Sequence, residues 1–144
     1  MKQRVFVLFV GVLFAFFSCS SAEVKIKVLD KSYDFGVVYV NYSQSYDFVL
    51  ENKTSKAIAI QNLQIDGSQE FFVATGGAGS MIQPKEMHFV KVMFEPVDKG
   101  FEQAIMIIVH DASSKPIEIE LMGTGETKPE FDVVPTQYLS LIHI

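Results

Sequence analysis

His88, His110 and Asp111 are the residues whose types could move protons in this chain, and their spacing argues against it. Hydrolysis through a side-chain nucleophile needs that nucleophile beside a base, with a third group orienting the base. His88 lies between Met87 and Phe89 in an apolar run, where a packed or edge histidine is expected rather than a base. His110-Asp111 follows a second apolar run and reads as a turn pair that satisfies its own backbone. No serine occupies a G-x-S-x-G elbow. Gly76-Gly77-Ala78-Gly79-Ser80 is glycine-rich but lacks the lysine and following helix of a phosphate loop. Asp30, Asp34 and Asp66 stand apart at turn positions, and no His, Asp or Glu spacing suggests a metal site. The expectation is a non-enzymatic protein with no catalytic residue, no cofactor, no metal and no small-molecule substrate.

The chain has 144 residues and a formal net charge of -5. Binding nucleic acid takes clustered Lys and Arg. Lys25, Lys27, Lys53, Lys56, Lys85 and Lys91 are dispersed along the sequence, so no nucleic-acid partner is expected. Residues 1–22 have the three parts of a secretory signal: Lys2 and Arg4, the apolar run from Val5 to Phe17, and small residues at Ser18, Ser20, Ser21 and Ala22. At about 1.5 Å per residue that run is too short to cross a hydrocarbon core of about 30 Å. Two processing routes are open. Ser20-Ser21-Ala22 suits ordinary signal peptidase and release at Glu23. Phe16-Phe17-Ser18-Cys19 is similar to a bacterial lipobox, with Phe at two positions that usually hold Leu and a small residue. By that route Cys19, the only cysteine, is the lipidation candidate and the mature N-terminus. Either way the exported domain has no disulfide and must be held by its core. The expected location is periplasmic, outer-membrane lipoprotein or extracellular, with membrane contact only through an N-terminal lipid.

From Glu23 onward the apolar period is two rather than about 3.6. Val24, Ile26 and Val28 start a strand, and Phe35 to Val40 gives a second after a corner at Asp34-Phe35-Gly36. Tyr46, Phe48 and Leu50 alternate in a third. Ile58 and Ile60 continue to Leu63 and Ile65 with a phase change near Gln61-Asn62, which predicts a bulge. Asp66-Gly67 is a turn signal. Phe71 to Val73 is short, Val90, Val92 and Phe94 face a core, and Phe101 to Val109 is apolar on both faces, as in a central strand. Ile117, Ile119 and Leu121 close the domain. Seven to eight evenly spaced strands without a helix are the signature of an all-β fold, an immunoglobulin-like sandwich or a related barrel, and the sandwich is the expected class. Gly36 and Gly100 are expected at positive φ, Pro96 at a strand end, and Gly123 and Gly125 as terminators of the last strand. Val49, Phe89 and Met93 point away from the main core face, toward a covering layer or an exposed sticky patch. The sequons Asn41-Tyr42-Ser43 and Asn52-Lys53-Thr54 read as turns.

Six motifs in this order resemble the Hydin-type immunoglobulin-like (ASH) domain, as found in bacterial choice-of-anchor D proteins and in ciliary proteins of eukaryotes. They are Asp34-Phe35-Gly36-Val37-Val38, Phe48-Val49-Leu50-Glu51-Asn52, Phe71 or Phe72 with Val73, Ile82-Gln83-Pro84, Val92-Met93-Phe94-Glu95-Pro96 with Gly100, and Leu121-Met122-Gly123-Thr124-Gly125. The usual glycine after Pro84 is Lys85 here. The resemblance implies a sandwich in which Asp34, Phe35, Gly36, Asn52, Pro84, Phe94, Pro96, Gly100, Gly123 and Gly125 are structural positions. It implies a role in spacing, adhesion or assembly through protein contacts, with a carbohydrate- or peptide-binding module, or an accessory domain of a larger exported enzyme, as alternatives.

The expected organisation is a signal peptide at 1–22, one domain at 23–125, and a linker with the start of a second repeat at 126–138. Phe131 to Tyr138 repeats the apolar pattern of Ile26 to Tyr33, one domain length later. Leu139-Ser140-Leu141-Ile142-His143-Ile144 is what a sequencing-library transposon adapter encodes in frame, so 139–144 is read as foreign and the gene as continuing. The expected partners are proteins or neighbouring repeats in a bacterial envelope or surface array.

Overall fold

Nine strands form among residues 25–130, which the computed structural model describes. They are β1 (Ile26–Val28), β2 (Ser32–Tyr39), β3 (Gln44–Asn52), β4 (Ile58–Gly67), β5 (Phe71–Thr75), β6 (Met81–Ile82), β7 (Met87–Phe94), β8 (Gly100–His110) and β9 (Ile117–Glu126). One sheet has the order β1-β3-β7-β5 and the other β2-β9-β8-β4-β6. All pairings are antiparallel except β2 along β9, which is parallel. The expected immunoglobulin-like sandwich is therefore present, with one strand more than expected. The extra one is β6, whose two residues are too few to show a period.

The alternation read in the sequence builds the core. Phe48, Leu50, Val90, Val92 and Phe94 of one sheet meet Ile60, Met106, Ile108, Ile119 and Leu121 of the other, all fully buried. With no disulfide in the domain, this dry contact is the main source of stability. Phe35 of β2 lies 5.8 Å from Phe94 across the two layers, and within its own sheet Phe94 stacks on Phe71 at 4.6 Å. β8 is central in its sheet, between β9 and β4, as its two apolar faces predict.

Two bulges keep the core face consistent. The β4–β8 register shifts between Ile60 and Asn62, so Ile58 and Ile60 before it and Leu63 and Ile65 after it all turn inward. Asp34-Phe35-Gly36 is not a corner between sheets but a bulge within β2. Gly36 has φ 69°, and its N–H donates to the Asp34 carboxylate at 2.8 Å. The added residue lets Phe35 and Val38, three positions apart, both bury.

Three expectations at glycines are corrected. Gly100 is not at positive φ but extends β8 opposite Gly125, where a paired strand needs no left-handed residue. Asp66-Gly67 ends β4 rather than turning. Ser68 still bonds to Gln103, and the chain reverses at Gln69-Glu70. Gly123 and Gly125 lie inside β9, which runs on to Glu126.

Candidate interaction surfaces

The motif glycines of β9 are emptied positions. A Cβ at Gly123 would stand 2.5 Å from the Phe94 ring, and one at Gly125 would stand 2.2 Å from the Asp98 carbonyl and 2.8 Å from Pro96. Both face inward beneath the segment that leaves β7, so Phe94, Pro96, Gly123 and Gly125 form one contact. β7 ends before Pro96, as expected, and the Pro96 carbonyl accepts from Asn41 N–H at 3.0 Å.

Asn52 and Pro84 belong to the opposite end. Asn52 is fully buried, and its amide donates to Lys56 O at 2.7 Å and Ile82 O at 3.0 Å. Its side-chain oxygen accepts from Thr54 N–H at 2.9 Å and from the Thr54 hydroxyl at 2.8 Å. Every polar valence of the amide is met, so this sequon is a structural knot. Pro84-Lys85 makes a tight turn closed by Glu86 N–H to Gln83 O at 3.1 Å, with Lys85 at φ 63° where the resembled family has glycine. Asn41, in the other sequon, also turns at φ 65°.

The titratable residues are held structurally. The half-buried His88 ring bonds through Nε2 to the Gly76 carbonyl at 2.9 Å. His110 is 5% exposed with Nδ1 unpartnered, and burial pushes its pKa below the ordinary value, against the raising effect of Asp111. Asp111 does not serve its own backbone: its carboxylate accepts from Ala59 N–H at 2.9 Å and pins β4. Asp30 accepts from the Tyr46 hydroxyl at 2.8 Å, which raises the phenol's pKa.

Charges dispersed in sequence are sorted by the topology. Lys53 N–H bonds to Lys25 O, Lys85 N–H to Asn52 O, and the Lys25 ammonium to Ala112 O at 2.6 Å. Lys25, Lys27, Lys53, Lys56 and Lys85 thus share the end that holds Asn52. An open cleft of about 450 Å³ beside it carries Lys27, Lys31 and Lys115 over an apolar floor of Ile26, Val28 and Ile117. At the other end Glu70, Asp98 and Glu102 bring carboxylate oxygens within 4.8 Å of one another. Sequence spacing hides this group, because its members come from the β4–β5 turn, the β7–β8 loop and β8.

Both outer sheet faces carry apolar side chains. Val49 pairs across strands with Phe89, which is 55% exposed, and exposed Phe72 pairs with the half-buried Met93. On the other sheet Thr124 sits between Val37 and Phe101, 66% and 61% exposed. Of the two outcomes foreseen for Val49, Phe89 and Met93, the exposed patch holds at Phe89 among the described residues. Exposed Tyr39 and Tyr42 meet edge to face at 6.5 Å, with the Lys128 ammonium 5.9 Å above Tyr42. Cys19 and the segments 1–22 and 131–144 lie outside the described residues.

Among solved structures the fold is similar to the ASH/PapD-like domain 7 of human CEP192, with 12% identity and a TM-score of 0.60. That match covers 73% of this chain and 87% of the other. A protein of unknown function from Porphyromonas gingivalis W83 is similar at 9% identity and a TM-score of 0.58, over 69% of this chain and 46% of that one. The secreted serine protease VesC from Vibrio cholerae is similar at 13% identity and a TM-score of 0.55, over 83% of this chain and 26% of the protease. No curated protein matches in sequence. The family model of Cep192 domain 4 matches residues 23–126, and the chain belongs to that family.

Proposed function

We propose that this chain is an exported, non-enzymatic module that works through protein contacts in a bacterial envelope or surface protein of the Hydin and choice-of-anchor D kind. The observation that carries the reading is the pair of apolar outer faces, at Phe89 with Phe72 and at Val37 with Phe101. An isolated sandwich would set polar residues there, whereas neighbouring proteins or repeats cover apolar ones. Membership of the Cep192 domain 4 family, with a fold similar to an ASH/PapD-like domain, supports a role in contact rather than chemistry. Lys25 stands at the basic end, a few residues after Cys19. A lipid on Cys19 would bring that end against phospholipid headgroups, where each lysine contributes about 1 kcal/mol at an anionic surface. The module is the first of a tandem array, with the next copy beginning near Phe131.

The likeness to part of a secreted protease favours one second reading, an accessory domain of a larger exported enzyme. The full open reading frame separates the two by showing whether further sandwiches or a catalytic domain follow. For the main reading, the tagged chain is expressed in the producing cell, fractionated, and crosslinked before lysis. An envelope location and a covalent adduct with an envelope protein are expected. A cytosolic pool without adducts would contradict the reading.

A further inference from the structure

Sheet edges are sites where another chain can pair, and folded proteins blunt them by shortness, bulges, Lys, Pro or a covering segment. Among the described residues the terminal strand of each sheet is treated this way. The part of β3 beyond β1, Gln44 to Phe48, is flanked by the chain passing from β1 into β2, where Leu29 N–H bonds to Val49 O and Tyr33 stacks on Tyr46 at 3.6 Å. β1 has three residues and carries Lys27, and β6 has two residues. β2 is bulged at Gly36, and β5 shifts register between Val73 and Thr75. β4 is covered at its start: β6 pairs with Ile58 and Ala59, and Ser80 and Gly79 bond to Ile60 at 2.9 and 2.8 Å. From Asn62 to Gly67, β4 pairs with β8 without a break and has no described strand on its other side. That stretch contains no Pro, Lys or Arg.

The backbone directions follow from one bond. Ser68 N–H donates to Gln103 O at 3.1 Å, so Ser68 and Gln103 form a bonded pair. Backbone groups alternate sides along a strand. Asn62, Gln64 and Asp66 therefore bond toward β8, while Leu63, Ile65 and Gly67 hold their N–H and C=O groups outward. Inside the same edge the Leu63 and Ile65 side chains pack on the core yet are only partly buried. Backbone and core are incomplete at the same place.

We propose that Asn62–Gly67 is a docking edge for an extended segment of a partner protein, added antiparallel to β4 in line with β6; this rests on the reading of the chain as a protein-contact module. An extended backbone satisfies a row of outward amides and carbonyls. Alternate apolar residues of the segment cover Leu63 and Ile65, and its polar residues lie over Gln64 and Asp66. An antiparallel segment begins at the Gly67 end, near Glu70, Asp98 and Glu102. No Lys or Arg among the described residues forms an ion pair with those carboxylates. The segment therefore carries Lys or Arg at its N-terminal end. A second copy pairing β4 to β4 does not supply that charge, because Gln61 to Glu70 contains no Lys or Arg.

The test is amide exchange on the full chain with the peptide Lys-Thr-Val-Thr-Val-Thr-Val. Leu63, Ile65 and Gly67 amides are expected to exchange freely alone and to slow at least about tenfold with peptide, while Asn62, Gln64 and Asp66 are slow in both. Asp98→Lys should weaken that peptide and favour one with Glu in place of its Lys. Ile65→Pro removes an outward N–H without touching a β8 bond and should abolish binding. No slowing at saturating peptide overturns the proposal, as does protection of Leu63, Ile65 and Gly67 in the free chain, by its own segments or a second copy. If crosslinking to a partner survives in a folded Ile65→Pro, the edge assignment fails and the protein-contact reading stands.

Discussion

Phe94 lies so close to Gly123 that a β-carbon there would stand 2.5 Å from the ring. The glycine is therefore half of a packing contact whose other half is an aromatic from the opposite sheet. Gly123→Ala should cost about 2 kcal/mol by overpacking. In a Phe94→Leu background the same change should cost about 1 kcal/mol less, read as the coupling in a urea-denaturation cycle.

Asn52→Leu keeps approximate volume but removes the amide's bonds to Lys56 O and Ile82 O and leaves Thr54 N–H without its acceptor, while Lys56 O keeps the Thr54 hydroxyl. Buried groups left unsatisfied cost about 1–3 kcal/mol each, moderated by local opening to water. A loss of about 3 kcal/mol is expected in chemical denaturation. A loss below about 1 kcal/mol would remove the amide from its role as a knot.

Lys85 adopts φ 63°, a region costing about 1–2 kcal/mol for residues with a Cβ. Lys85→Gly relieves that cost but adds freedom to the unfolded chain, and it drops the bond from the lysine ammonium to Lys53 O. The net expectation is a gain of up to about 1 kcal/mol, measured as a raised Tm.

His110 has its folded pKa lowered by burial, with Lys25 also lowering it and Asp111 raising it. The unfolded chain thus takes up a proton at higher pH than the folded one. The stability this contributes is complete above the unfolded pKa of about 6.5. It is lost as pH falls toward the folded value. Thermal melts between pH 7.5 and 5 should show Tm falling, and His110→Gln should flatten that slope.

The strands and the Gln61–Asn62 bulge were legible because burial on a sheet has a period of two, and a phase change between Ile60 and Leu63 has one cheap explanation. Gly36 was legible as a positive-φ site, though its bulge read as a corner, since both use the same Asx bond and glycine. Gly123 and Gly125 misled because a glycine ending a strand and one emptied for a ring look alike in sequence. The lysines at one end and the Glu70, Asp98 and Glu102 group were not legible. Their members are brought together by pairing between distant strands, which no local spacing records. The open stretch of β4 was hidden for the same reason, since edges are set by sheet order.

Photo-crosslinking from Gln64 on β4, in the cell that makes the protein, tests the central claim most directly. The expected result is one protein adduct, linked through an extended segment with alternating apolar residues and a basic N-terminal end. An adduct from Phe89 or Phe101 with none from Gln64 would contradict the docking edge and leave the protein-contact reading standing, and no protein adduct from any position would contradict both.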